Sequence, residues 1–139
     1  MRRYALLLLL AAAPAWACTG LKVTEAWVRE APPGAPMLAG YAKLANPTKK
    51  SMTVFLVDSP DFGEVAMHQT MVMDGMSHMH GVEELEIPAK KSKRFAPGGL
   101  HLMLMQPKKP LKAGDKVTIN FHCGPEAPVS VVFPVKSGA

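Results

Sequence analysis

Long apolar runs are scarce in this sequence, and that excludes a membrane-spanning helix. The one conspicuous run, Tyr4 to Ala13, covers ten residues, against the roughly 20 such a helix needs. It follows Met1-Arg2-Arg3 and precedes Ala15-Trp16-Ala17. A basic start, an apolar middle and a small-x-small end describe a cleaved secretory leader; a buried N-terminal helix is the alternative. Residues 1–17 are therefore read as signal peptide and 18–139 as one domain. Cleavage leaves 122 residues, enough for a core, and lowers the formal charge from +5 to +3 by removing Arg2 and Arg3. Lys/Arg residues are scattered in short groups (Lys49-Lys50, Lys90 to Arg94, Lys108-Lys109) and no aromatics interleave with them. That pattern reads as solvated turns, not a nucleic-acid surface.

Catalytic signatures are missing too. There is no HExxH, nucleophile elbow, P-loop or Rossmann fingerprint, and nothing pairs a nucleophile with a base. The chain is not read as an enzyme. Cysteine is limited to Cys18 and Cys123. In an exported protein the pair can close one disulfide, although sequence alone does not bring them within bonding distance. Free thiols come second. A lipid link at Cys18 comes third: Ala17 suits it, Trp16 and the lack of Leu at position 15 do not.

Helix signals are also lacking, whereas strand signals recur. Leu21 to Glu30, Leu38 to Leu44, Met52 to Asp58, Glu64 to Met73, Met76 to Val82, Leu100 to Met105, Lys116 to His122 and Val129 to Val135 read as strands, with a further short one near Lys90 to Arg94. Between them lie Ala31-Pro32-Pro33-Gly34-Ala35-Pro36, Asn46-Pro47-Thr48, Ser59-Pro60-Asp61 and Ala96-Pro97-Gly98-Gly99, all loop or turn chemistry. Eight or nine short strands and thirteen prolines predict an all-β sandwich or barrel.

What the chain does have is methionine beside histidine. Seven of its ten methionines and four of its five histidines lie between Met67 and Met105. Thioether and imidazole together favour a soft ion such as Cu(I), whereas hard cations want oxygen. Asp74-Gly75 signals a two-residue hairpin turn, which pairs Met73 with Met76 and Thr70 with Met79. His68 then shares a face with Met79 on the diagonal, about 7–8 Å away at the backbone. His101 and Met103, two apart on a strand, also share a face. Two pairs can thus close a His₂Met₂ site. Met105 falls on the ligand face by parity, as a packing or lining residue. Met71, Met73, Met76, His78 and His80 fall on the other face, and His78 and His80 are read as exposed hairpin residues. His122 and Cys123, adjacent in a strand, point apart. A blue-copper centre needs a thiolate with two imidazoles and a weak axial thioether, and no His or Met follows Cys123.

The spacing itself is recognisable. His68, ten residues, Met79, twenty-one residues, His101, one residue, Met103 resembles the motif of the periplasmic copper chaperone family PCuAC. Ala26-Trp27-Val28-Arg29, Met73-Asp74-Gly75 and Ala96 to Met105 are similar to family sequence as well. The resemblance implies a cupredoxin-like Greek-key barrel or sandwich, one Cu(I) on His68, Met79, His101 and Met103, and a monomer. It also implies delivery to the CuA centre of cytochrome c oxidase subunit II, often alongside a thioredoxin-like copper protein. Some members carry a His/Met-rich C-terminal tail that this sequence, which ends at Ala139, does not show, so one principal site is expected. Two other readings stay open. One is a copper storage or buffering protein of the same compartment; the other is a β-domain whose methionine-rich face docks a protein.

Overall fold

The computed structural model describes residues 18–125 and 127–138. The leader read over 1–17 lies outside the described residues. Eleven strands and no helix are found among those described. They are β1 (Lys22–Arg29), β2 (Met37–Ala45), β3 (Met52–Val54), β4 (Leu56–Asp58), β5 (Phe62–Met73), β6 (Met76–Gly81), β7 (Leu85–Ile87), β8 (Ser92–Phe95), β9 (Leu100–Pro107), β10 (Lys116–His122) and β11 (Val129–Lys136). The all-β expectation is borne out, but the count exceeds eight or nine for two reasons. The run from Met52 to Asp58 breaks at Phe55, whose N–H turns aside to the His122 carbonyl at 3.0 Å. And Leu85–Ile87, too short to read from periodicity, becomes a strand because β3 supplies a partner for it.

One sheet runs β4-β10-β11-β1-β2-β9-β5-β6, with β8 also on β2; β3 and β7 form a separate ribbon. The β1–β11 pairing is parallel and the other pairings are antiparallel. Alternation explains the core. On β9, Leu100, Leu102 and Leu104 point inward and are at most 9% exposed, which turns His101, Met103 and Met105 to the opposite face. Phe121 and Phe133, both fully buried, pack with ring centroids 6.3 Å apart. Cys18 and Cys123 are joined in a disulfide, Cα atoms 5.0 Å apart, which ties the start of the described chain to the end of β10.

Two local features fix the strands that matter here. Asp74 (φ 52°) and Gly75 (φ 77°) both occupy the left-handed region, as the two central positions of a type I′ turn require. Ala96-Pro97-Gly98-Gly99 closes with a Gly99 N–H bond to the Ala96 carbonyl at 3.1 Å. Proline at its second position and Gly98 at φ 81° match a type II turn. This second turn leads directly into His101.

Candidate metal centre

The hairpin register is the one that the two-residue turn imposes. Met73 faces Met76, Thr70 faces Met79 and His68 faces Gly81, so His68 and Met79 lie diagonally on one face. The pairing of β5 with β9 adds what spacing alone could not supply. His68 is directly opposite His101, and Ala66 is opposite Met103. All four candidate ligands therefore share the face of the β9-β5-β6 strip that points away from the core. The imidazole centroids of His68 and His101 are 6.0 Å apart. With metal–imidazole bonds of about 2 Å, two rings on one ion have centroids about 5–6 Å apart, so the observed spacing is compatible with a shared ion.

Small neighbours leave room for the thioether. Met103 is flanked by Ala66 on β5 and by Ala39 on β2, both on its own face. The four residues are graded in exposure. His101 is 7% exposed, His68 and Met103 are half-buried, and Met79, on the edge strand β6, is 54% exposed.

The two imidazoles are held differently. His101 Nδ1 lies 2.9 Å from the Gly99 carbonyl. With Nδ1–H donating to that oxygen, Nε2 carries the lone pair, which is how a metal-binding histidine is normally oriented. The same carbonyl accepts the Thr70 N–H at 3.2 Å, so the type II turn anchors β5 and the ring together. His68 Nδ1 is buried without any hydrogen-bond partner. A buried polar atom left unpaired costs about 1–3 kcal/mol, and an ion at this ring would engage it. Two imidazoles and two thioethers, with no thiolate or carboxylate, form a set suited to a soft monovalent ion. Among the described residues no group of three or more His, Cys, Asp or Glu side chains is placed to share an ion, so any site here depends on thioethers.

Other histidines and methionines fall as follows. Met105 is on the ligand face but two residues beyond Met103, between Glu64 and Met37. His78 and His80 are exposed on the hairpin's other face. His122 Nε2 is 2.8 Å from Asp58 Oδ2, so that ring has an acidic partner away from the candidate centre. Sequence reasoning missed Ala39, Ala66 and the Gly99 carbonyl as supports. The only available signal for Gly99 was the Pro-Gly-Gly turn two residues ahead of His101.

Comparison with known proteins agrees with this architecture. The protein "Putative lipoprotein Lxx21020" of Leifsonia xyli subsp. xyli (strain CTCB07) is 36% identical over 123 residues, 86% of this chain and 73% of its own length. The solution structure of CuI-DR1885 from Deinococcus radiodurans is 28% identical, covers 91% of this chain and 84% of that one, and superposes with a TM-score of 0.68. A copper-bound PCuAC domain from PmoF2, 19% identical, covers 86% of this chain and 94% of its own at a TM-score of 0.70, which establishes the shared fold. The resemblance to PCuAC domains is thereby borne out, and the fold is cupredoxin-like. With the family model "Putative lipoprotein LpqE-like" matching residues 21–135, the chain belongs to the LpqE-like family.

Proposed function

We propose that this protein carries Cu(I) outside the cytoplasm and hands it to an acceptor, holding the ion through His68, Met79, His101 and Met103. The observation that carries this reading is the His68–His101 pair, with directly opposed rings, one tethered at Nδ1 and the other left without a partner. Support also comes from DR1885, whose structure was solved with Cu(I). The reading is that of a carrier and not an enzyme.

Graded exposure suits reversible binding. His101 is the fixed anchor, and His68 and Met103 close around the ion. Met79, exposed on an edge strand, is the donor that an incoming acceptor ligand displaces first. Thioethers bring no charge and bind more weakly than thiolate, so transfer runs towards a thiolate-containing acceptor. The CuA centre of cytochrome c oxidase subunit II has that character, and a thioredoxin-like copper protein would be a fitting companion. Export rests on residues 1–17 as a cleaved leader, and the lipoprotein name of the Leifsonia relative fits an extracytoplasmic place. A lipid thioether at Cys18 would need the sulfur that Cys18 shares with Cys123, so we favour the disulfide over the anchor.

The test is transfer. Protein loaded with one Cu(I) is mixed anaerobically with the apo CuA domain of subunit II, the two are separated, and copper is counted in each. Movement to the acceptor, accelerated in Met79→Leu, is expected. Copper retained by this protein at equilibrium would overturn the assignment of acceptor.

A further inference from the structure

The hairpin has a second soft-donor face. Its register sets Met71 opposite His78 and Met73 opposite Met76. By strand parity these four side chains share one face, opposite to that of His68 and Met79. Directly opposed residues have Cβ atoms about 4.5–5.5 Å apart, and diagonal ones lie about 7–8 Å apart. Long thioether side chains span such gaps easily.

Packing does not account for these residues. Methionine usually fills irregular space in a core, but Met71, Met73 and Met76 are 44%, 54% and 64% exposed. They lie beyond the last buried residue of β5, Met67. Nor do they resemble edge protection. Edge strands are normally blunted by lysine, proline or bulges, yet β6 reads Met-Ser-His-Met-His-Gly, with no fixed charge. An exposed apolar edge is a liability unless something occupies it. The type I′ turn at Asp74-Gly75 holds the two strands in register, so the four donors are presented together.

We propose that Met71, Met73, Met76 and His78 form a second binding site for a soft monovalent cation, Cu(I), independent of the centre on the other face. Three thioethers and one imidazole select against oxygen-seeking cations. Met79 and His68 point away across the sheet, so the two sites do not share a donor. Because the hairpin donors are exposed and must be ordered on binding, this site is weaker than the first. It would let the protein collect a second ion when copper is plentiful, and it gives the buffering reading its physical basis.

Silver(I), soft, monovalent and inert to air oxidation, is the probe. It is titrated into the wild-type protein while methionine methyl and histidine ring resonances are followed by NMR and the bound equivalents are counted by native mass spectrometry. Two equivalents are expected in a monomer. The second should saturate at about 10–100-fold higher free silver and shift Met71, Met73, Met76 and His78. The triple variant M71L/M73L/M76L conserves volume at exposed positions and should bind one equivalent. His101→Leu should lose the first equivalent and keep the hairpin one. Unshifted Met71, Met73 and Met76 methyls at saturation would overturn the proposal. So would two equivalents retained in the triple variant, or a second equivalent that arrives only with dimerisation.

Discussion

Replacing the two opposed histidines one at a time by leucine should move the stability of the metal-free protein in opposite directions. His68 keeps Nδ1 buried without a partner. Leucine removes that atom, and an unsatisfied buried group costs about 1–3 kcal/mol. With the ring half-buried, a value near the lower end applies, so His68→Leu should stabilise the apo protein by about 1 kcal/mol. His101 instead donates from Nδ1 to the Gly99 carbonyl at 2.9 Å. Leucine forfeits that bond, although the carbonyl keeps the Thr70 N–H, so no acceptor is orphaned. A net loss of about 1 kcal/mol follows for His101→Leu. The same side chains are exchanged in both, so the difference between the variants, about 2 kcal/mol, is chiefly polar. Urea unfolding of the apo proteins measures it. Cu(I) should lift the wild type above His68→Leu and leave His101→Leu the least stable of the three. At one hundred times its dissociation constant the ion adds about 2.7 kcal/mol to the wild type and much less to either variant. If His68→Leu is as destabilised as His101→Leu without metal, the unpaired nitrogen carries no such cost.

Three further outcomes follow from the scaffold. Asn46 is 1% exposed, and its Nδ2 faces the carbonyls of Lys50, Ile87 and Pro88 at 2.7, 2.9 and 3.3 Å. Asn46→Ala should cost about 2 kcal/mol and Asn46→Asp about 3–4 kcal/mol, since the carboxylate oxygen standing in for Nδ2 would meet only carbonyl acceptors, even though the other oxygen keeps the Thr48 N–H and hydroxyl as donors. The Asp deficit should shrink as pH falls in urea melts, because a protonated carboxyl can donate again. Replacing both cysteines, as in C18S/C123S, opens a link across 105 residues and should lower stability by about 2–5 kcal/mol by the same assay; with no thiol left to compete for the ion, one-ion Cu(I) affinity should be unchanged. Gly98 sits at φ 81° with open space around its Cα. Gly98→Ala therefore adds strain of about 1 kcal/mol without a clash, and it should weaken Cu(I) binding through the Gly99 carbonyl, as read in a chelator competition.

The strands around the centre were legible because their signals are local. Asp74-Gly75 imposes the hairpin register, and the Leu/His/Leu/Met/Leu/Met alternation of β9 sets both its core and its outer face. The opposition of His68 to His101 was not legible, since β5 and β9 lie about thirty residues apart in the chain and no turn links their registers. The same holds for β3 and β7. Each has three residues, too few for a period to show, and each becomes a strand because the other is there. The break at Phe55 reflects its bond to the His122 carbonyl, a contact from the far end of the sequence. The supporting alanines, Ala39 and Ala66, carry no chemical signal of their own and acquire meaning only beside Met103.

Whether His68, Met79, His101 and Met103 hold one Cu(I) is decided by an anaerobic competition titration against a chromophoric Cu(I) chelator. The wild type is compared with Met103→Ala and His101→Ala, each first shown to be folded. One tight equivalent is expected in the wild type, weakened about tenfold or more in Met103→Ala and lost in His101→Ala. Equal tight binding by all three proteins would contradict this assignment and move the copper chemistry away from this face of the sheet.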